Sequence, residues 1–181
     1  MLPPTLTELF AQGDDLALCN AADAIGAALV TRGLRHGDRV AACLHEEDAA
    51  LAALLGVAAA GCAYVPLATE RPGHALRGAK AKLVLLSPDA PKSVRRAAAD
   101  LGIPALVLQL DQQHAALLDG EPVFEPLAVR ADLDDVALAP LDGPARTHRE
   151  LAAAAREHAD GPRSALAAWA TTRRPAVADA A

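Results

Sequence analysis

The sequence predicts an α/β protein with an open, mostly parallel sheet of about four to five strands and helices on both faces. Short apolar runs of strand length alternate with longer segments that favour helix, an arrangement typical of three-layer α/β domains. These runs are apolar throughout, as expected for strands of a parallel sheet that is covered on both faces. A strand, a helix and a second strand follow one another within residues 33–67, and a helical crossover of that length joins only parallel strands.

Local signals mark where the helices begin and end. Asp15 is placed to cap the first helix, and Gly33 ends it. A later helix presents apolar residues at helical spacing and stops at Gly102. Thr147 and Glu150 form a capping box at the start of the last predicted helix. The predicted helices are residues 16–32, 48–60, a short segment ending at residue 79, 92–101 and 147–158.

The strands are predicted at the apolar runs, and the segments between them are predicted from composition. Residues 111–130 lose periodicity and are predicted to be an irregular connection, while residues 6–10 form a short amphipathic turn. Residues 163–181 are rich in Ala, Thr, Arg and Pro and are predicted to be a weakly ordered tail, which leaves residues 1–162 as the domain. The predicted strands are residues 39–44, 63–67, 82–86 and 105–110, with residues 136–139 as a further strand.

Composition limits the possible classes of function. The chain has 181 residues, a size that suits one domain, but aromatic residues make up only 2% and alanine dominates the apolar content. The net charge is −6 with acidic residues spread along the chain, so nucleic acid is not an expected partner. The N-terminus lacks a leader pattern and charges interrupt every apolar run, so no membrane association and a cytoplasmic location are predicted. The cysteines form no C-x-x-C pair and are predicted to be reduced packing residues.

Three sequence blocks occur in a fixed order: Gly33-Leu34, then GDRVA at residues 37–41, then AGCAYVPL at residues 60–67. Together they resemble the adenylate-forming enzymes, which include acyl-CoA synthetases and the adenylation domains of nonribosomal peptide synthetases. The resemblance covers nearly all of the chain and implies the N-terminal subdomain of that superfamily, truncated relative to a full enzyme. The family normally has a small strand pair before the first helix, whereas Gly13 to Asp15 replace it here.

The resemblance also indicates where a phosphate-binding loop is expected. DDVA at residues 134–137 and THR at residues 147–149 resemble the flanks of that loop, and only residues 137–146 lie between the flanks. The family's loop is rich in Ser, Thr and Gly and contains a Lys, because backbone N–H groups, hydroxyls and a cation hold the phosphates. Residues 141–144, Leu-Asp-Gly-Pro, offer instead one glycine, a carboxylate and a proline without an N–H. The family's later adenine- and ribose-binding motifs and its C-terminal catalytic Lys are also expected to be missing.

From these departures we predict no catalytic, cofactor-binding or metal-binding residues; ATP and Mg²⁺ are expected only if the degenerate interpretation is wrong. Four residues are candidates for a different ligand site. His45 and Glu46 open the densest polar cluster, at the carboxyl end of the first strand, where α/β folds bind ligands. Acids there also complement the dipole of the following helix, which is the simpler explanation. Asp142 lies in the shortened loop, and His148 matches a family position but also simply starts a helix.

Two other kinds of chemistry are less favoured by the sequence. Cys62 in a turn is either a reactive thiol or a packing residue, and packing is favoured. A phospho-acceptor receiver domain would place acids after the first strand, as here, but no Asp ends the strand at residues 82–86 and no Lys ends the next one.

Two classes of function remain open, with a product of no selected function as a third possibility. The first is a degenerate, non-catalytic binding or scaffolding module beside a biosynthetic synthetase or its carrier protein. The second is part of a ligase that acts only with a partner chain, or a small-ligand enzyme with a rebuilt site at the strand ends. A protein partner or self-association is expected in the first class, because a subdomain of this kind is normally covered by another one.

Overall fold

The structure is a computed structural model that describes residues 15–67, 70–123 and 131–171, together with Leu6. Helices and strands alternate along most of this length. The helices are α1 (Leu16–Thr31), α2 (Glu47–Ala59), α3 (Pro72–Ala79), α4 (Lys92–Asp100), α5 (His148–Glu157) and α6 (Gly161–Ala170). The strands are β1 (Arg39–Cys43), β2 (Ala63–Pro66), β3 (Leu83–Leu86), β4 (Ala105–Leu110), β5 (Ala116–Leu118), β6 (Glu121–Pro122), β7 (Val136–Leu138) and β8 (Arg146–Thr147).

All the strands join one mixed sheet in the order β6-β5-β4-β3-β1-β2-β7-β8. Its centre, from β4 to β7, is parallel, and Arg39 of β1 stands opposite Ala63 of β2. Antiparallel strands complete both ends, with β5 and β6 beside β4 and with β8 beside β7. The predicted parallel α/β sheet is confirmed, and the predicted strands differ from the observed ones by at most one residue at an end.

Helices cover both faces of the sheet, as predicted. The larger core lies under α1, α2, α5 and α6, and the smaller one lies under α3 and α4. Helix α2 is buried along its whole length from Ala49 to Ala59, because α1 and α6 pack against it on the side away from the sheet. This position explains why its sequence is apolar on every side, since a helix with no solvent-facing stripe needs no polar face.

Two segments are more regular than the sequence predicts. Within the predicted irregular connection, β5 and β6 form an antiparallel hairpin beside β4. Side chains supply hydrogen bonds at both turns of this region. In the turn from β4 to β5, the Asp111 carboxylate accepts from the N–H groups of Gln113 and Ala115, both at 2.8 Å. In the turn from β5 to β6, the Asp119 carboxylate accepts from Val107 N–H at 2.8 Å. Such local bonds make a turn where apolar periodicity is absent.

The second correction concerns residues 163–170, which were predicted to belong to a weakly ordered tail. They lie in α6, whose Leu166 and Ala170 are fully buried against the larger core. The Tyr64 hydroxyl donates a hydrogen bond of 2.8 Å to the Ala170 carbonyl, and Arg163 forms ion pairs with Asp15 and Asp48. Tertiary contacts therefore order a segment whose own sequence carries little signal.

Some predictions fall on residues that the structure does not describe: most of the turn at residues 6–10, the later part of the 111–130 connection from residue 124, and the tail from residue 172. Among the described elements, no helix combines the length and the apolar content needed to cross a membrane.

Candidate functional site

The segment expected to bind phosphate is the loop that joins β7 to β8, residues 139–145. The N–H of its first residue, Ala139, already donates to the Tyr64 carbonyl at 2.8 Å as part of the sheet. Pro140 and Pro144 have no N–H, and the loop has neither a hydroxyl nor a lysine side chain. Asp142 is exposed here, where its carboxylate would repel a phosphate. The loop therefore offers an anion no hydroxyl or cationic side chain and fewer backbone N–H groups than a loop without prolines.

Polar groups next to this loop already have partners of their own. The guanidinium of Arg146 lies 5.3 Å from the centre of the Trp169 ring, a cation–π contact. The Thr147 hydroxyl accepts from Glu150 N–H at 3.3 Å, and the Glu150 carboxylate accepts from Thr147 N–H at 2.9 Å, so the predicted capping box is present. Arg149 pairs with Asp134 at 3.0 Å. Each of these cations and hydroxyls therefore has a partner of its own and is not available to bind an anion at the loop.

His45 lies just beyond the carboxyl end of β1, as predicted, and its side chain is only 5% exposed. Its Nδ1 is 3.1 Å from Asp89 Oδ1, its Nε2 is 3.9 Å from Cys43 Sγ, and its backbone N–H donates to Ser87 Oγ at 3.0 Å. No local pattern links these residues, because β1 and β3 are separate in the sequence and meet only in the folded sheet. The result is a Cys–His–Asp chain of contacts that runs from the buried Cys43 to the exposed Asp89.

This chain has the order of a nucleophile, a base and an orienting acid, but Cys43 is not placed to act as a nucleophile. Its side chain is fully buried. Burial, with a smaller contribution from Asp89, raises the pKa of the Cys43 thiol to about 11. At pH 7 only about one molecule in 10⁴ would carry the reactive thiolate. The contacts of His45 therefore serve packing and hydrogen bonding at the strand end.

Glu46 takes the N-cap position of α2 and is exposed, with no capping hydrogen bond from its side chain. Glu47 and Asp48 lie in the first turn of the same helix, where negative charge complements the helix dipole. This agrees with the simpler of the two sequence-based explanations for the acidic cluster.

His148 starts α5, as predicted, but its side chain is buried, with 1% of the residue exposed. In the described part of the chain, neither ring nitrogen has a hydrogen-bond partner of normal geometry. Burial lowers the pKa of His148, while the charge of Asp135 and the nearby Ala58 carbonyl act in the opposite direction. The ring is thus held neutral within the fold.

The four candidate residues do not form one site. His45 and Asp142 follow the carboxyl ends of parallel strands, whereas His148 follows β8, which runs antiparallel and ends at the opposite edge. In the part of the chain that the structure describes, no group of three or more His, Cys, Asp or Glu side chains is arranged to hold a metal ion.

A polar cluster at the amino edge of the sheet was not predicted from the sequence. His36 Nε2 lies 2.8 Å from Asp135 Oδ2, beside a cavity of about 320 Å³ that Arg39 and Asp134 also line. Burial tends to raise the pKa of Asp135, but hydrogen bonds from Asp132 N–H and His36 outweigh it and lower this pKa. No signal in the sequence links residues that are 99 positions apart.

The other two cysteines also match the packing prediction. Cys19 and Cys62 are buried free thiols, and burial raises the pKa of both, to about 11 for Cys62. Cys62 Sγ donates to the Arg35 carbonyl at 3.4 Å, inside the turn that leads into β2. A raised thiol pKa disfavours the thiolate, so neither is a reactive cysteine.

Several solved structures have a similar fold. Apo MatB from Rhodopseudomonas palustris superposes with a TM-score of 0.61 at 24% identity, covering 82% of this chain and 35% of that protein. A benzoate CoA ligase from Burkholderia xenovorans LB400 gives 0.63 at 24% identity, covering 79% and 31%. The nonribosomal peptide synthetase FmoA3, in an AMPPNP-bound form, gives 0.61 at 26% identity, covering 87% and 19%.

The chain thus spans about a third or less of the length of these proteins. A comparison of the sequence with curated proteins gave no match. The family model described as AMP-binding enzyme matches residues 17–160, from α1 to the end of the loop after α5. This match includes the whole sheet, the β7–β8 loop and every helix except α6, and it shows that the chain belongs to the family of AMP-binding enzymes.

Proposed function

We propose that this chain is a degenerate adenylation-like module that does not catalyse adenylation and serves as a binding or scaffolding element associated with acyl or peptide biosynthesis. The observation that carries the proposal is the loop between β7 and β8. Adenylate formation requires the triphosphate to be held while a carboxylate attacks its α-phosphorus, and the developing charge must be neutralised. This loop has two prolines, no hydroxyl, no lysine and an exposed carboxylate.

The expected loss of adenylation rate follows from the effect of removing hydrogen-bond donors in other active sites. Removing one preorganised donor typically lowers a rate by about 10²-fold or more. Here the flanking Thr147 and Arg149 are committed to other partners, so they do not replace the missing donors. Loss of several donors at once supports a role without adenylation chemistry.

The alternative is a ligase fragment that acts with a partner chain, or a small-ligand enzyme at the strand ends. The Cys43–His45–Asp89 contacts are the only feature of the strand ends, among the residues described, that favours an enzyme. The buried, protonated state of Cys43 argues against it. A partner-dependent ligase would still need a source for the phosphate-binding donors.

A protein partner remains part of the proposal, whether a synthetase, a carrier protein or a second copy of the chain. Among the described residues, the large apolar side chains that are exposed are Leu16 and Val136, so no broad apolar helix face supports it. The outer edge of β8, which pairs only with β7 in the described sheet, is the stronger support, because unpaired edges favour added strands. Light scattering at rising protein concentration tests self-association; a strictly monomeric species that binds no hydrophobic dye would count against it.

The central experiment measures binding of Mg²⁺-ATP to the chain by calorimetry, together with pyrophosphate exchange over a panel of carboxylic and amino acids. We expect no exchange and no binding tighter than about 1 mM, which corresponds to about 4 kcal/mol. An acyl-CoA ligase with an intact loop is the positive control. Exchange that depends on substrate and survives repurification would overturn the proposal.

One variant distinguishes two reasons why the loop would not bind ATP, namely repulsion by the Asp142 carboxylate and missing N–H donors. Asp142→Asn removes the repelling charge but leaves Pro140 and Pro144, which lack N–H donors. We expect this variant to remain without ATP binding. Recovery of binding would mean that charge repulsion alone, rather than missing donors, disables the loop.

A further inference from the structure

A cavity of about 360 Å³ lies between α1 and the turn that joins β4 to β5, on the side of α1 away from the expected phosphate loop. Its volume is within the range of small-molecule sites. Its polar lining consists of Asn20, Asp23, Gln113 and His114, and Ala116 and Val123 are among its apolar walls. This combination of an apolar surface with a few converging polar groups is typical of binding pockets.

Asp23 has no structural role that explains its position. Its Oδ1 atom is buried without a hydrogen-bond partner among the described residues, and burial raises the pKa of the carboxyl group. The Asp23 side chain is half-buried, and its Oδ1 atom has lost water without gaining a donor, which costs free energy. Such a cost is typically retained where the group serves a ligand.

The positive charges near this end of α1 are used elsewhere. Arg163 binds Asp15 and Asp48, and His114 Nε2 lies 3.2 Å from the same Asp48 carboxylate. Asp23 belongs to neither pair, and its negative charge contributes to raising the pKa of Cys19 one turn away. Among these described groups, the carboxylates of Asp15, Asp23 and Asp48 outnumber the one guanidinium, that of Arg163, which favours a cation at the cavity.

The wall opposite Asp23 is held in place by its own hydrogen bonds. His114 N–H donates to the Asp111 carbonyl at 3.0 Å, and the Asp111 carboxylate binds two further N–H groups of the turn. The cavity is thus largely formed before any ligand arrives, which lowers the entropic cost of binding.

We propose that this cavity binds a small protonated amine, with the Asp23 carboxylate as its counter-ion, Asn20 and Gln113 as hydrogen-bonding neighbours and the apolar walls around its alkyl chain. The ligand's N–H groups supply the donors that Asp23 Oδ1 lacks. A neutral alcohol of the same shape could donate one hydrogen bond to that oxygen but would bring no positive charge to the carboxylate, so it should bind more weakly.

The test uses n-butylammonium as the probe and 1-butanol as its neutral counterpart, titrated into the ¹⁵N-labelled full chain and followed by NMR. We expect saturable shifts at the amides of Asn20, Asp23 and Gln113 with n-butylammonium but not with 1-butanol. Asp23→Asn should weaken binding by about tenfold or more, equivalent to about 1.4 kcal/mol. Asp100→Asn is the matched control, because it removes the same charge at an exposed position at the end of α4.

Equal responses of the unmodified chain to both probes, or no response to n-butylammonium, would overturn the proposal without any variant. So would equal binding by Asp23→Asn and the unmodified chain. Urea unfolding gives a second criterion: Asp23→Asn should be at least as stable as Asp100→Asn, because it relieves an unpaired buried charge. A clear loss of stability specific to Asp23→Asn would mean that the carboxylate has a structural partner, and the proposal would be wrong.

Discussion

His148 illustrates how one buried side chain links pH to the stability of the fold. His148 is the first residue of α5, and its imidazole is buried away from water without a hydrogen-bond partner of normal geometry among the described residues. Burial lowers its pKa, with Asp135 and Ala58 offsetting part of that effect. Protonation is therefore easier in the unfolded chain, where the pKa of histidine is about 6.5.

The direction of the pH effect follows from linkage. A base whose pKa is lowered by folding stabilises the native state fully above the unfolded pKa, and this contribution is lost as the pH falls below about 6.5. We expect the free energy of unfolding in urea to be smaller at pH 5 than at pH 7.5. The pKa of Asp135 is lowered from an already acidic value, so that carboxyl group titrates below this window.

His148→Leu provides the comparison, because it removes the titrating group and suits a buried site. We expect its unfolding free energy to change less between pH 7.5 and pH 5 than that of the unmodified chain. An equal pH dependence in both proteins would show that other groups cause it.

Some features of single residues could be predicted from the sequence, but their contacts with distant residues could not. The start of α5 at His148 was predictable from the capping box, because Thr147 and Glu150 are neighbours in the sequence. The contacts of His45 with Asp89 and of His36 with Asp135 join distant segments, and nothing local encodes them. The unpaired state of Asp23 likewise depends on what packs around α1.

At the scale of elements, prediction succeeded where the sequence of a segment decides its structure. The central strands are continuous apolar runs between turns, so their positions could be predicted to within a residue. The β5–β6 hairpin and α6 were missed for a common reason. Contacts between separate segments fix both: Asp119 of the hairpin accepts a hydrogen bond from Val107 N–H of β4, and the Tyr64 hydroxyl donates to the end of α6.

The packing of α1 on α2 depends on one glycine. A Cβ atom added at Gly56 would lie 2.4 Å from the Ala22 carbonyl oxygen and 3.0 Å from Ile25 Cβ. The first of these is backbone and cannot rotate away, so the helices would have to separate. We expect Gly56→Ala to lower the free energy of unfolding by about 1–3 kcal/mol in urea, the usual range for overpacking.

Gly78→Ala is the matched control for that substitution. Gly78 also lies in a helix, α3, but a Cβ there would meet Leu141 Cδ2 at an ordinary 3.7 Å. Since alanine favours helix over glycine by up to about 1 kcal/mol, this variant should be neutral or more stable. Equal losses in the two variants would contradict the close approach of α1 and α2.

The bond between Tyr64 and Ala170 makes a second prediction about elements. The hydroxyl is fully buried and satisfies a carbonyl at the end of α6 that has no partner within the helix. Tyr64→Phe keeps the ring but leaves this carbonyl unpaired. We expect a loss of about 1–3 kcal/mol in the free energy of unfolding. Hydrogen exchange should accelerate most in α6; uniform acceleration across the sheet would contradict the assignment.

For the whole molecule, the decisive feature is that two cores share one sheet. The larger core includes α6, and the smaller one lies under α3 and α4 on the opposite face. About half of these side chains are alanine, and each alanine removes little apolar surface from water. Stability must then come from many small contacts, and no layer is expected to remain folded without the others.

The dependence of each layer on the others leads to a prediction about α6, most of which was predicted from the sequence to belong to a weakly ordered tail. Trp169, the only tryptophan, lies in α6, packs against the larger core and contacts Arg146 of β8. Its fluorescence therefore reports whether α6 is docked, whereas far-UV circular dichroism reports on all helices. If α6 is an integral part of the domain, both signals will change at the same urea concentration, as in a two-state transition. Tyr64→Phe should move both midpoints together. A fluorescence change at lower urea than the dichroism change would instead mean that α6 detaches first and that the domain ends near residue 162.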